Sequence, residues 1–243
     1  MNNNPIGLFD SGVGGTSIWK EIHQLLPYEN TIYLADSLNA PYGYKSREEI
    51  ISLSVKNTEL LLKKGCKVIV VACNTATTNT ISVLRERFRV PFIGIEPAIK
   101  PAALQSKSKS IGILATKGTL NSELFSLATE EFTKDIMITE VIGEGLVPLI
   151  EKGDLLSSEI SSLLEKFLKP MLANNIDHLV LGCSHYPYLI PQLTKLLPNN
   201  IKIIDSGEAV ARQTKSIILK NKLQKKANNQ PDFQFITNSS DTP

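Results

Sequence analysis

Two apolar runs in this chain end on a cysteine and give way at once to small polar residues. Lys67 to Thr78 reads KVIVVACNTATT, with Cys73 closing the run and Asn74, Thr75, Thr77 and Thr78 behind it. Asp177 to Tyr188 reads DHLVLGCSHYPY, where Cys183 closes the run and Ser184 and His185 follow. Short β-branched runs bounded in this way read as buried strands of a parallel sheet. Ligands of open α/β sheets sit at the carboxyl ends of the strands, so both thiols are predicted to stand where chemistry is normally done.

The segments around these runs alternate strand and helix. Ile6 to Phe9 is a short strand that runs into Asp10-Ser11-Gly12-Val13-Gly14-Gly15, a turn whose backbone N–H groups allow close approach of an anion. Ile18, Ile22, Leu25 and Leu26 then give helical spacing. A nucleotide reading of the turn fails, because the dinucleotide fingerprint wants glycine where Ser17 stands and a phosphate-binding loop wants a lysine. Thr31 to Ala35 is a second strand, leading to the punctuated stretch Asp36 to Gly43. Ser46 with Glu49 forms a capping box for a helix that Gly65 stops. The Cys73 strand, a helix through Arg87 and the run Val90 to Ile95 complete a first α/β set, for which a parallel sheet is predicted.

Near Pro97 the pattern begins again. Ile111 to Thr119 mirrors Ile6 to Gly12, as a strand into a turn of glycine and hydroxyls. A helix through Glu131, a strand over Ile136 to Ile142 and a short helix ending at Glu151 follow. Ile160, Leu163, Leu164, Phe167, Leu168, Met171 and Leu172 form the cleanest helical stripe, which leads into the Cys183 strand. Ile201 to Ile204 ends in Asp205-Ser206-Gly207, a repeat of the Asp10 turn. A helix over Glu208 to Asn221, a basic solvated loop over Lys220 to Asn229, a last strand at Phe233 to Ile236 and a polar end from Asn238 to Pro243 are expected. The predicted fold class is α/β, with two pseudo-symmetric domains of mainly parallel sheet. Residues 1–97 plus 205–243 form the first and 98–204 the second. Two chain crossings between them permit hinge closure.

Composition excludes several functions. The 243 residues suffice for two cores of roughly 100 to 150 residues each. Lys plus Arg (26) nearly cancels Asp plus Glu (24), so no basic field argues for nucleic acid or an anionic membrane. No apolar stretch approaches the roughly 18 residues of a membrane span, and MNNNPIGLFD lacks the marks of a signal peptide. The expectation is a cytoplasmic protein acting on a small molecule. Three cysteines make no disulfide framework, and none are paired at zinc spacing, so no metal site is expected.

Cys66, at the entry to its strand, reads as structural. Cys73 and Cys183 differ, because amide, hydroxyl and imidazole groups follow them, suited to a carboxylate-bearing ligand. A redox pair would show C-x-x-C, which is missing. A thiol hydrolase could use Cys183 with His185 and leave Cys73 idle. A two-base proton transfer at carbon would use both thiols, one on each face. Asp10 ends the strand expected beside the Cys73 strand and could relay protons or cap its turn. His23 and His178 read as surface or boundary residues.

IGLFDSGVGG, ADSLNAPYG, VVACNTATT, GIEPAIKPA, LGCSHYP and IDSGEAVA, in this order and across nearly the whole chain, resemble the glutamate racemases of the aspartate/glutamate racemase family. The resemblance implies two pseudo-symmetric α/β domains with the active site in the interdomain cleft. It implies interconversion of L- and D-glutamate for peptidoglycan without a cofactor. Cys73 would act on D-glutamate and Cys183 on the L-enantiomer, assisted by Asp10 and His185. Asp10, Ser11, Tyr42, Gly43, Asn74, Thr75, Thr119, Ser184 and His185 would surround the substrate. Family members differ in how they dimerise, so a homodimer is compatible with it. Racemisation of aspartate or another amino acid, and glutamate binding without catalysis, are the rival readings. The chain departs from many relatives in two places. A further cysteine is absent from Val141 to Leu149. A terminal helix usual after the strand matching Phe233 to Thr237 is also absent; its loss would uncover part of the first core at roughly 1.5 to 3 kcal/mol per large side chain.

Overall fold

The structure is a computed structural model that describes residues 3–225 and 230–240. Residues 226–229 of the expected basic loop and 241–243 of the polar end lie outside the described residues. The chain divides into two compact units, one formed by residues up to Ile95 together with those from Gly207 on, the other by Glu96–Ser206.

In the first unit β1 (Ile6–Asp10), α1 (Thr16–Leu25), β2 (Thr31–Ala35), α2 (Arg47–Lys63), β3 (Val68–Val71), α3 (Asn74–Arg87) and β4 (Phe92–Gly94) alternate. The second holds α4 (Ile99–Gln105), β5 (Ser110–Ala115), α5 (Lys117–Leu120), α6 (Glu123–Phe132), β6 (Met137–Ile142), α7 (Leu146–Glu151), α8 (Ser158–Ala173), β7 (His178–Gly182), α9 (Ile190–Leu196) and β8 (Lys202–Ile204). The chain then returns to the first unit as α10 (Gly207–Lys220) and β9 (Phe233–Thr237).

Both sheets are parallel, and four strands of the first repeat the order of the second. The first runs β4-β3-β1-β2-β9 and the second β6-β5-β7-β8, so each opening strand, β1 or β5, lies between its successor and the strand that leads to a cysteine. Helices cover both faces, which is why β1, β3, β5 and β7 are buried at every position and carry no apolar-polar alternation. In the first unit Ile18 and Ile22 of α1 and Val210 and Ile218 of α10 pack on Leu8 and Val70. In the second, the stripe of α8 seats Ile160, Leu164, Phe167, Leu168 and Met171 against Leu179 and Leu181, while Ile99 and Ala102 of α4 meet Val180 from the other face. The Ser46–Glu49 capping box forms in both directions, at 3.3 and 2.9 Å, and Gly65 turns the chain after α2 at φ 81°.

Three features differ from the sequence expectations. The seven-residue helices α4 and α9 are not among the sequence expectations, since Pro101 and Pro191 stand in their first turns and so few residues give no period. His178 is no boundary residue; it is 3 % exposed, and its Nδ1 lies 2.7 Å from Asp177 Oδ1. Asp177 also accepts hydrogen bonds from the Ser106 hydroxyl at 2.8 Å and from the N–H groups of Lys107 and Ser108 at 2.6 and 2.8 Å, tying the end of α4 to the start of β7. Burial opposes its ionisation, but the bonds from Ser108, His178, Ser106 and Lys107 prevail and hold the carboxyl well below its ordinary range.

A depressed folded-state pKa contributes stability that is complete above the unfolded value, near pH 4, and fades as pH falls through the folded one. Asp177→Ala is therefore expected to lower the unfolding free energy by about 1–2 kcal/mol at neutral pH. The gap to the parent protein should narrow below about pH 4, as read by denaturant titrations across that range.

Candidate active site

Parallel pairing fixes where the candidate groups of the first unit stand. Phe9 lies opposite Val71 in the β1–β3 ladder, and the Ala72 N–H donates to the Phe9 carbonyl at 2.8 Å, so Asp10, Ser11 and Cys73 leave the sheet at one edge. The next strand after β1 is added on one side of it and β3 on the other, which makes this edge a topological switch point. Cys73 is the N-cap of α3. Its Sγ accepts the Ala76 N–H at 3.4 Å, and the aligned N–H groups of that helix end favour negative charge on sulfur. The Cys73 thiol lies 3.8 Å from Ser11 Oγ.

Asp10 is fully buried and accepts the Gly15 N–H at 2.7 Å. That approach requires glycine, because a Cβ on residue 15 would come within 2.8 Å of the Asp10 Cβ and 2.9 Å of the Ala72 Cβ. Behind Cys73 the hydroxyl residues divide by task. Thr77 accepts the Ile95 N–H and donates to the Val71 carbonyl, both at 3.0 Å, and Thr78 donates to the Asn74 carbonyl at 3.1 Å. These two brace the scaffold. Asn74 is 2 % exposed, yet neither Nδ2 nor Oδ1 has a hydrogen-bond partner among the described residues. A buried amide without a protein partner, beside a thiol, is suited to a polar ligand.

Tyr42 and Gly43 lie in the connection after β2. The Tyr42 hydroxyl donates to Asp36 Oδ2 in a very short hydrogen bond and accepts from Asn57 Nδ2 at 3.1 Å. Burial first, then the Asp36 charge and hydrogen bond, push the phenol far above its ordinary value, and the nearby Cys73 adds to this. Tyr42 is therefore a neutral, fully committed donor at any working pH. What Tyr42 and Gly43 offer a ligand is backbone.

The second unit repeats the construction. Ala115 lies opposite Gly182 in the β5–β7 ladder, so Thr116 to Thr119 and Cys183 to His185 follow from adjacent strand ends at that unit's switch point. Thr119 is fully buried, with its Oγ1 3.0 Å from that of Thr116. His185 Nδ1 is 3.7 Å from Cys183 Sγ and 3.5 Å from Ser184 Oγ. On the far side of the ring Nε2 makes a very short hydrogen bond to Glu151 Oε1 at the end of α7. A carboxylate on Nε2 favours the proton there and turns the Nδ1 lone pair toward the thiol. Gly143, between β6 and α7, accepts the Tyr186 hydroxyl at 3.1 Å; a Cβ there would lie 2.2 Å from that oxygen.

The structure thus gathers Asp10, Ser11, Tyr42, Gly43, Cys73, Asn74 and Thr75 in the first unit and Thr119, Cys183, Ser184 and His185 in the second. Cys66 is a buried thiol pushed up to about 12 by desolvation, as suits a structural residue. Glu151, Asp36 and Asn57 escaped sequence reading. Glu151 is 34 residues from the imidazole it meets, and no local pattern marks it. Among the described residues no group of three or more His, Cys, Asp or Glu is placed to hold a metal ion, and no helix is long and apolar enough to cross a membrane.

Comparison with known proteins gives the class of molecule. Residues 6–214 match the family described as Asp/Glu/Hydantoin racemase. A glutamate racemase of Herpetosiphon aurantiacus is 41% identical over 98% of this chain and 93% of its own. A glutamate racemase isoform of Bacillus anthracis superposes with a TM-score of 0.89 at 32% identity, covering 99% of this chain and 90% of that one. The Escherichia coli glutamate racemase, solved with L-glutamate and the activator UDP-MurNAc-ala, gives a TM-score of 0.88 at 33% identity over 98% and 90% of the two chains. The chain belongs to the Asp/Glu/Hydantoin racemase family and is an isomerase by class. The resemblance drawn from the six motifs and the two-sheet α/β fold class are both borne out.

The Asn74 amide gives the site its own test. Replacing an unsatisfied buried amide by an apolar group of like shape is neutral or favourable, so Asn74→Leu is expected to keep or raise the unfolding free energy, by up to about 1 kcal/mol. Chemical denaturation checks this; a loss of comparable size would mean the amide is satisfied.

Proposed function

We propose that the protein interconverts L- and D-glutamate by moving protons between the α-carbon and two cysteine thiols. The observation that carries this reading is the like placement of Cys73 and Cys183. Each follows a buried strand at a switch point, one capped by α3 beside Ser11 and Asp10, the other beside His185 and Glu151. Membership of a racemase family and the glutamate racemases among its relatives support the substrate.

In this reading the Cys73 thiolate takes the α-proton of D-glutamate and the Cys183 thiol delivers one to the opposite face of the carbanion, giving L-glutamate. The reverse direction exchanges the roles. One C–H bond breaks and another forms at the same carbon, while a thiolate becomes a thiol and a thiol a thiolate. Nothing is oxidised or reduced. Each turnover leaves the sulfurs in exchanged protonation states, which Asp10 and the His185–Glu151 pair help to reset. Ser11, the backbone of Tyr42 and Gly43, Asn74, Thr75, Thr119 and Ser184 hold the carboxylates and ammonium. The reading calls for no metal or pyridoxal phosphate. It places the enzyme in the cytoplasm, supplying D-glutamate for peptidoglycan.

In deuterated water, L-glutamate is expected to exchange its α-hydrogen and yield D-glutamate. Cys73→Ser and Cys183→Ser should each slow racemisation by about 10²–10⁴-fold, and Cys66→Ala should leave it near the parent rate. Full activity in either serine variant would end the two-thiol mechanism. Faster turnover of aspartate in a substrate panel would reassign the substrate, and complementation of a D-glutamate auxotroph tests the cell-wall role.

A further inference from the structure

The carboxylate of Asp36, 1 % exposed at the end of β2, is the hub of the connection that carries Tyr42 and Gly43. Its Oδ2 accepts from the Tyr42 hydroxyl and from Asn57 Nδ2 at 3.3 Å; its Oδ1 accepts from Asn39 Nδ2 at 2.7 Å and from Asn238 Nδ2 at 2.5 Å. Four donors use the acceptor capacity of an ionised carboxylate. Three of them come from the connection itself or from α2. The fourth comes from the far end of the chain.

Asn238 reaches this point because β9 pairs with β2 in parallel, with Thr237 opposite Ala35, so the next residue of each strand falls side by side. Its amide then works as a two-pronged clip. Nδ2 holds the Asp36 carboxylate, and Oδ1 accepts the Leu38 N–H at 3.0 Å, inside the 3₁₀ turn Ser37–Asn39. The Tyr42 ring hangs from the same carboxylate, and the Tyr42–Gly43 backbone follows the ring. We infer that Asn238 is a positioning residue, fixing through Asp36 and Leu38 the backbone of Tyr42 and Gly43 against which the substrate docks. The inference rests on the racemase reading above for the identity of that substrate. It assigns the edge strand β9 a task at the site besides covering the sheet.

Asn238 is exposed, so replacing it uncovers no core. In the full-length protein Asn238→Ala is expected to raise the glutamate KM in both directions by about three- to tenfold, with kcat within about twofold and the denaturation midpoint unchanged. Asn238→Asp keeps an acceptor for Leu38 but sets a second carboxylate against Asp36, so its KM should rise further than that of the alanine variant. Amide hydrogen exchange over residues 36–44 should quicken in both variants. An unchanged KM in a parent protein that racemises glutamate overturns the inference, as does a fall in kcat and stability with KM intact. If the parent protein does not turn glutamate over, the functional reading fails instead, and the exchange arm alone decides: unchanged protection of residues 36–44 overturns the role of Asn238.

Discussion

Neighbouring strands of a parallel sheet must all end on the same side. Here that constraint does more than any single contact. Once β1 pairs with β3, the acid that ends one strand and the thiol that follows the other are neighbours whatever the sequence between them, and β5 with β7 does the same for Thr119 and Cys183. The helices on both faces make the strands uniformly apolar, so the polar groups of each unit's candidate site collect beyond the last ladder bond, where the backbone is free to turn. Both units obey this rule with the same order over four strands, and each has a switch point at which a ligand-sized gap between diverging connections is the expected outcome.

Beyond that edge, local hydrogen bonding separates scaffold from working groups. Thr77 and Thr78 close backbone bonds and fix the entry of α3, whereas the buried Asn74 amide beside them has no partner among the described residues. Such a group costs stability. The two thiols are supported differently. A helix end faces Cys73, and a histidine oriented by a carboxylate faces Cys183. Both arrangements suit negative charge on sulfur, one through fixed dipoles that face it and the other through an imidazole nitrogen beside the thiol.

How much of this was legible in the sequence follows from the range over which each interaction acts. The capping box of α2, the stripe of α8 and the strands before Cys73 and Cys183 are written within a few residues, and each appears where the pattern put it. Helices α4 and α9 offer too few residues for a period, and their prolines mimic turns. The pairing of Glu151 with His185, the four donors around Asp36 and the capture of His178 by Asp177 depend on which elements pack together. A neighbour in sequence gave only the last of these, and there the apolar run that follows His178 concealed that the residue is buried with its acid.

The first sheet takes its edge strand from the end of the chain and the second takes all four of its strands from one continuous stretch. During synthesis the two units therefore ripen in the opposite order to their beginnings. A ribosome that has released residue 206 has delivered the later unit whole, while the earlier one still lacks α10 over its helical face and presents the outer edge of β2 without β9. Open parallel edges are where nascent chains pair wrongly. The outer edge of β2 stays open until β9 follows it, and the Asp36 carboxylate is not fully clasped until residue 238 has left the tunnel.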